Sequence, residues 1–306
     1  MKVYLCESIH PDALALLKTR TEIISDPLRI GEVDAIINRN LQLTAEVLAQ
    51  APQLKAVAIH GTGTDGVDLD YCHSHGIHVF NVPHENADSV AELIVALTLM
   101  LLRKLQLADR LVCSGTPIVN APPQLFGTEL AGKTLGLIGT GDIALRAARI
   151  MRDGFRVRVI GCSPSLTQEK AEAMGIGYCA SIPEVLEQAD IVNIGVRLNE
   201  STQNLIGAAE LAMMKPSAIL INTARGGVLD ETALYEALTH GTIAAAACDV
   251  FRREPPTVDT PLVGLENFIA TPHLGANTDE ALRRVGMKMV ENLFRVLDGG
   301  TAEHPC

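Results

Sequence analysis

TLGLIGTGDIALRAARIM, Thr134 to Met151, is the stretch that decides the fold. Thr134 to Ile138 reads as a strand, Gly139-Thr140-Gly141 as a tight turn, and Asp142 onward as a helix. In such a unit Gly139 permits the turn and Gly141 lets the backbone approach a pyrophosphate. Ala144, in the third-glycine position, allows close helix–sheet packing. The N–H groups that open the helix are then offered to phosphates. Glycines that only make a tight turn would look the same in isolation; the placement between strand and helix favours phosphate binding.

Working outward, the same alternation runs to both ends. VYLC, DAIIN, LKAVAIH and GIHVFNV precede a helical pattern near 89–105, SVAELIVALTLMLLRK. A Gly-, Pro- and Thr-rich stretch over 114–133 then reads as a domain boundary. KTLGLIG, RVRVIGC, ADIVNI, AILINT, AAAACDV and NFIATPH follow, interleaved with helices. Apolar runs without polar interruption indicate parallel sheets covered on both faces. The expectation is two α/β units, the second holding the glycine turn.

Bulk properties narrow the partners. The 306 residues suffice for two domains, and 47% apolar with 20% charged residues is ordinary for a globular chain. A net charge of −11 argues against nucleic acid or an anionic membrane. MKVYLCESIHPD reaches polar residues too early for a signal peptide. The most apolar run, Leu93 to Leu102, is about half of the ~20 residues a membrane span needs. Seven scattered cysteines with no CxxC predict a reducing cytoplasm and no disulfide framework. The tract Cys72 to His78 (CHSHGIH) falls at a helix-to-strand turn, and no metal is expected there.

Five positions carry chemistry. An NAD-binding unit of this kind places an acid about twenty residues beyond the glycine turn, at the end of the second strand. RVRVIGC instead runs into Ser163-Pro164-Ser165. Hydroxyls there tolerate a 2′-phosphate that Arg197 would reach; alternatively Ser163 merely ends a strand and Arg197 is solvated. NAD and NADP both stay open. Arg225 follows AILINT, at the sheet edge where ligands bind, and offers a fork of donors matched to a carboxylate. His273 follows NFIATP, and imidazole titrates near neutrality. Glu254 sits in DVFRREPP, and a carboxylate beside His273 favours the imidazolium, a competent proton donor.

With these residues assembled, the chain resembles the D-isomer-specific 2-hydroxyacid dehydrogenase family, in the short form of phosphoglycerate dehydrogenase-like members. HGTGTDGVD (His60 to Asp68), NADSVAEL (Asn86 to Leu93), GTELAGKTLGLIGTGDIA, MKPSAILINTARGGVLDE, DVFRREP and TPHLGA occur in family order. The resemblance implies two Rossmann/flavodoxin-like parallel-sheet domains with an interdomain cleft. Residues 1–99 with 278–306 would form a discontinuous substrate domain, and 100–277 the dinucleotide-binding domain. Arg225 would bind the substrate carboxylate, His273 would exchange the proton, and Glu254 would orient and charge His273. His60, Thr62 and Gly63 would form the substrate loop. Gly139, Gly141, Asp142, Ile143, Ser163, Arg197, Thr223, Ala224, Asp249 and Gly275 would line the NAD or NADP site, with Asp249 near the nicotinamide carboxamide. A homodimer is implied as well.

Departures from the family pattern refine the expectation. Asp142 stands where an arginine is frequent, Ser163 replaces the ribose-binding acid, and Arg197 replaces a proline. Ile59 occupies the place of an arginine that phosphoglycerate-using members direct at the substrate phosphate. These favour NAD(P)H-dependent reduction of a small 2-oxo acid, glyoxylate- or hydroxypyruvate-like, to a D-2-hydroxy acid of the glycerate kind. Phosphoglycerate oxidation and a non-catalytic, dinucleotide-sensing role are the alternatives.

Overall fold

A run such as Ala56–Ile59, buried at every position, has no face to offer water and pairs on both edges inside a sheet. In the computed structural model, which describes residues 1–118, 120 and 122–306, the chain forms two units: 1–89 with 276–306, and 90–275.

The first unit contains β1 (Lys2–Leu5), α1 (Pro11–Lys18), β2 (Glu22–Ile24), β3 (Ala35–Asn38), α2 (Ala45–Leu48), β4 (Ala56–Ile59), α3 (Leu69–Ser74) and β5 (His78–Phe80). Its five strands run parallel in the order β2-β1-β3-β4-β5, the flavodoxin-like winding.

The chain continues through α4 (Ala87–Leu102), α5 (Leu105–Cys113), β6 (Thr134–Ile138), α6 (Asp142–Phe155), β7 (Arg158–Cys162), α7 (Gln168–Met174), β8 (Gly177–Tyr178) and α8 (Ile182–Gln188). It then forms β9 (Ile191–Ile194), α9 (Ala208–Met213), β10 (Ile219–Asn222), α10 (Glu231–Thr239), β11 (Ala245–Cys248) and β12 (Phe268–Ala270). The seven strands β6 to β12 are all parallel, ordered β12-β11-β10-β9-β6-β7-β8. Winding reverses at β6, and the crevice beyond the carboxyl ends of strands at such a point is where α/β sheets bind ligands. The last helix, α11 (Asp279–Leu297), returns to the first unit, where Val285, Met289 and Leu293 pack with Ala13 and Leu17 of α1 on Val3, Ala58 and Phe80.

Three details differ from the sequence reading. The units divide at 89/90 and 275/276 rather than at 99/100 and 277/278. Val90, Ala91, Ile94 and Leu97 pack with Leu135, Leu137 and Ile269, which draws most of α4 into the second unit's core. The helix expected near 89–105 ends at Leu102, and a new one begins after Lys104, whose φ is +52°. The strands β2 and β8 are additional; both lie at sheet edges, where one-sided pairing needs no continuous apolar run. The boundary stretch over 114–133 contains Val119 and Ala121, which lie outside the described residues.

Candidate active site

Because all seven strands of the second unit are parallel, each expected site residue there emerges at the same edge. Gly139 follows β6, Ser163 follows β7, Arg197 follows β9, Thr223 to Arg225 follow β10, Asp249 and Glu254 follow β11, and His273 follows β12.

The glycine turn has the shape its sequence requires. Gly139 has φ +93°, and a Cβ there would sit 2.5 Å from the Gly195 carbonyl oxygen, so only glycine lets the loops after β6 and β9 meet. Gly141 caps α6, and a Cβ added to it would touch nothing within 4 Å. The backbone is therefore open on the side where a pyrophosphate would lie, and the turn fits a dinucleotide. Asp142 is paired with Arg146 one helical turn on, at 2.9 Å, so the carboxylate at the family's arginine position is matched by a cation. Ile143 follows in the first turn of α6, and Arg197 is exposed, its carbonyl accepting from the Thr202 hydroxyl at 2.6 Å.

The three residues of opposite chemistry converge. His273 Nδ1 lies 2.8 Å from Glu254 Oε2, and Glu254 Oε1 accepts the Phe251 N–H at 3.0 Å. Both oxygens of the carboxylate are thus held, one by its own loop and one by the imidazole. Partial burial alone would raise the Glu254 carboxyl. The His273 hydrogen bond and charge, the Phe251 N–H and the nearby Arg225 charge outweigh burial and hold it below the usual carboxylate range. The Arg225 loop is pressed against this one: a Cβ on Gly226 would overlap the Phe251 carbonyl carbon. Arg225 Nη1 donates to the Ala224 carbonyl at 2.7 Å, and the Asn222 side chain ties both ends of the turn, accepting from the Ala224 N–H and donating to the Arg225 carbonyl, each at 3.1 Å.

His273 itself has φ +55°, a left-handed conformation uncommon outside glycine and asparagine, costing on the order of 1–3 kcal/mol. Asp249 explains how it is held. Its carboxylate is 1% exposed and accepts from the Thr271 hydroxyl (2.6 Å), the Leu274 N–H (2.7 Å) and the Gly275 N–H (2.8 Å), while its carbonyl accepts the His273 N–H (2.8 Å). The Asp249 carboxylate thus anchors the turn that carries His273. Sequence reasoning missed Asn222, whose buried amide shows its use only when the turn is folded.

The candidate substrate loop belongs to the first unit and is held at both ends. The Thr62 carbonyl accepts from Asn81 at 2.7 Å, the Gly61 carbonyl accepts the Val82 N–H at 2.8 Å, and the Asp68 side chain caps α3 through the Tyr71 N–H. Among the described residues, the Thr62 and Gly63 N–H groups donate to no protein acceptor. The His60 side chain is buried. Its ring is 7% exposed, its Nε2 has no hydrogen-bond partner, and that atom would lie 3.6 Å from a Cβ at Gly286 of α11. Gly286 lets α11 lie close on α1, since a Cβ there would stand 2.8 Å from Ala13 Cβ while remaining in ordinary contact with the buried His60 ring. His73 and His75 have their own neighbours: His73 Nε2 lies 2.8 Å from the Cys306 carbonyl, and His75 stacks on Tyr71.

A doubly wound parallel sheet with an open glycine turn at its switch point defines a dinucleotide-binding protein. Residues 95–275 match the family model described as D-isomer specific 2-hydroxyacid dehydrogenase, NAD binding domain, and the chain belongs to that family. It is 36% identical to D-3-phosphoglycerate dehydrogenase of Methanocaldococcus jannaschii, over 99% of this chain and 59% of that protein. The chain therefore spans about three fifths of that relative's length. It is also 36% identical to hydroxypyruvate reductase of Thermotoga maritima, over 97% of this chain and 98% of that protein. Among solved structures, an NADPH-dependent glyoxylate/hydroxypyruvate reductase from Sinorhizobium meliloti superposes with a TM-score of 0.88 at 28% identity, covering 100% of this chain and 97% of the other. No helix among the described residues is long and apolar enough to cross a membrane.

Proposed function

We infer that the chain interconverts a small 2-oxo acid and its D-2-hydroxy acid, with the 90–275 unit binding NAD or NADP and the other unit binding substrate. The observation that carries the reading is the 2.8 Å His273–Glu254 pair, locked beside the Arg225 turn by Gly226. A bound nicotinamide supplies or accepts the hydride. Arg225 binds the substrate carboxylate through its planar fork of donors and polarises the adjacent carbonyl. His273, its Nδ1 engaged by Glu254, gives a proton from Nε2 to the carbonyl oxygen in reduction and takes it back in oxidation. Glu254, ionised across the neutral range, stabilises the imidazolium. On the first unit, the Thr62 and Gly63 N–H groups are the donors offered to a substrate carboxylate.

Glyoxylate- or hydroxypyruvate-like acids are the favoured substrates: Ile59, at the place of a phosphate-binding arginine, is 2% exposed in the sheet. The Methanocaldococcus relative supports a phosphorylated substrate as the second reading. Ser163 and Arg197 at the edges of β7 and β9 support use of NADPH at least comparable to NADH. Exposed Leu105, Val112 and Phe126, on and beyond α5, support a homodimer paired through that helix. Steady-state turnover of glyoxylate, hydroxypyruvate and phosphohydroxypyruvate with NADH and with NADPH tests the reading. His273→Ala should lose roughly 10²–10⁴-fold in kcat; a fully active variant would sink the mechanism.

A further inference from the structure

The end of the strand after the glycine turn is where an adenosine ribose is read, usually by a carboxylate that accepts its hydroxyls and repels a 2′-phosphate. Here Ser163 occupies that end, and Thr140 Oγ1 lies 2.9 Å from Ser163 Oγ. Thr140 is the middle residue of the glycine turn. Its methyl sits over β7, since a Cβ at Gly161 would stand 3.1 Å from Thr140 Cγ2. Threonine is stiff about χ1, so seating the methyl there also fixes the hydroxyl. Each hydroxyl has one O–H and two lone pairs; the bond between them uses one proton and leaves one O–H at the strand end.

Resting on the dinucleotide reading above, we propose that Thr140 is a positioning residue for cofactor choice, holding the Ser163 hydroxyl so that the pair keeps an oriented O–H for the ribose 2′ substituent. Hydrogen bonds to an ionised acceptor are roughly twice as strong as neutral ones. An oriented donor therefore contributes more to a 2′-phosphate than to a 2′-hydroxyl, and the neutral pair repels neither. Gly161 belongs to the device because its bare backbone accepts the threonine methyl.

Isothermal titration of the whole chain with NADPH and with NADH, without substrate, tests this. Thr140→Val keeps the shape and removes the hydroxyl; it should raise the ratio of the NADPH Kd to the NADH Kd about 3- to 10-fold. Thr140→Ser should stay within about 2-fold of the parent ratio. Ser163→Ala should reproduce the shift, which keeps the test open should Thr140→Val fold poorly. A purely structural role would weaken both nucleotides together and leave the ratio unmoved. An unchanged ratio in both Thr140→Val and Ser163→Ala, or a Thr140→Ser as impaired as Thr140→Val, overturns the role of Thr140 while leaving the dinucleotide reading intact. A parent chain that binds neither nucleotide overturns both.

Discussion

Acidification from pH 7.5 to 5.0 should destabilise the first unit through one side chain, His60. Burial, and then the nearby Arg39 charge, push its pKa down to about 4 from an ordinary 6.5. The ring is 7% exposed and its Nε2 meets no acceptor that would steady an added proton. Because the folded value is depressed, the unfolded chain takes up the proton first. The neutral ring's contribution is complete above about pH 6.5 and is lost as pH falls from there toward 4. The difference between 6.5 and about 4 corresponds to about 3 kcal/mol over the whole window, of which about 2 kcal/mol is gone by pH 5. That is a large share of a typical 5–15 kcal/mol. The assay is equilibrium urea unfolding of the parent and of His60→Leu at both pH values, followed by far-ultraviolet circular dichroism. Other groups titrate alike in the two proteins, so the difference between their pH dependences isolates His60. The parent should lose about 2 kcal/mol more than the variant. Equal losses, or a His60 proton resonance that titrates near 6.5, would refute the reasoning.

Three further outcomes follow from the second unit. Glu254→Gln keeps an acceptor for the Phe251 N–H but removes the charge facing His273, so kcat for 2-oxo acid reduction should fall at least about 10-fold with substrate KM changed little; steady-state kinetics across pH reads this. Arg225→Lys exchanges a planar fork for a point charge, and KM for the 2-oxo acid should rise about 10-fold or more while nucleotide Kd holds. Gly226→Ala places a Cβ on the Phe251 carbonyl carbon, where no flexible side chain can yield; a loss of more than about 2 kcal/mol is expected, read as a lower Tm.

Much of this was legible in the chain order. TLGLIGTGDIA carries the strand, the turn and the helix because each is a local choice: an apolar run, glycines where the backbone must turn tightly, and a helical apolar period. The apolar runs before Arg225, Glu254 and His273 were visible for the same reason. Since parallel strands all end at one edge, placing the runs placed these residues at a common edge. The edge strands β2 and β8 carry little apolar signal, because Glu22–Ile24 is short and only partly buried and Gly177–Tyr178 is two residues long and exposed. The break at Lys104 has no signal in the chain order, because RKLQ contains neither glycine nor proline.

What sequence alone determined, then, is the alternation, the glycine turn and the order of the site residues, all set by periodicity and backbone freedom within a few neighbouring positions. The tertiary structure decided which atoms meet. Asp249 supports the turn bearing His273, Thr140 pairs with Ser163, and Gly286 lets α11 approach Ala13 of α1. Each of these joins residues about twenty or more positions apart, through hydrogen bonds and packing that require the distance and direction of a folded chain, which no local pattern encodes.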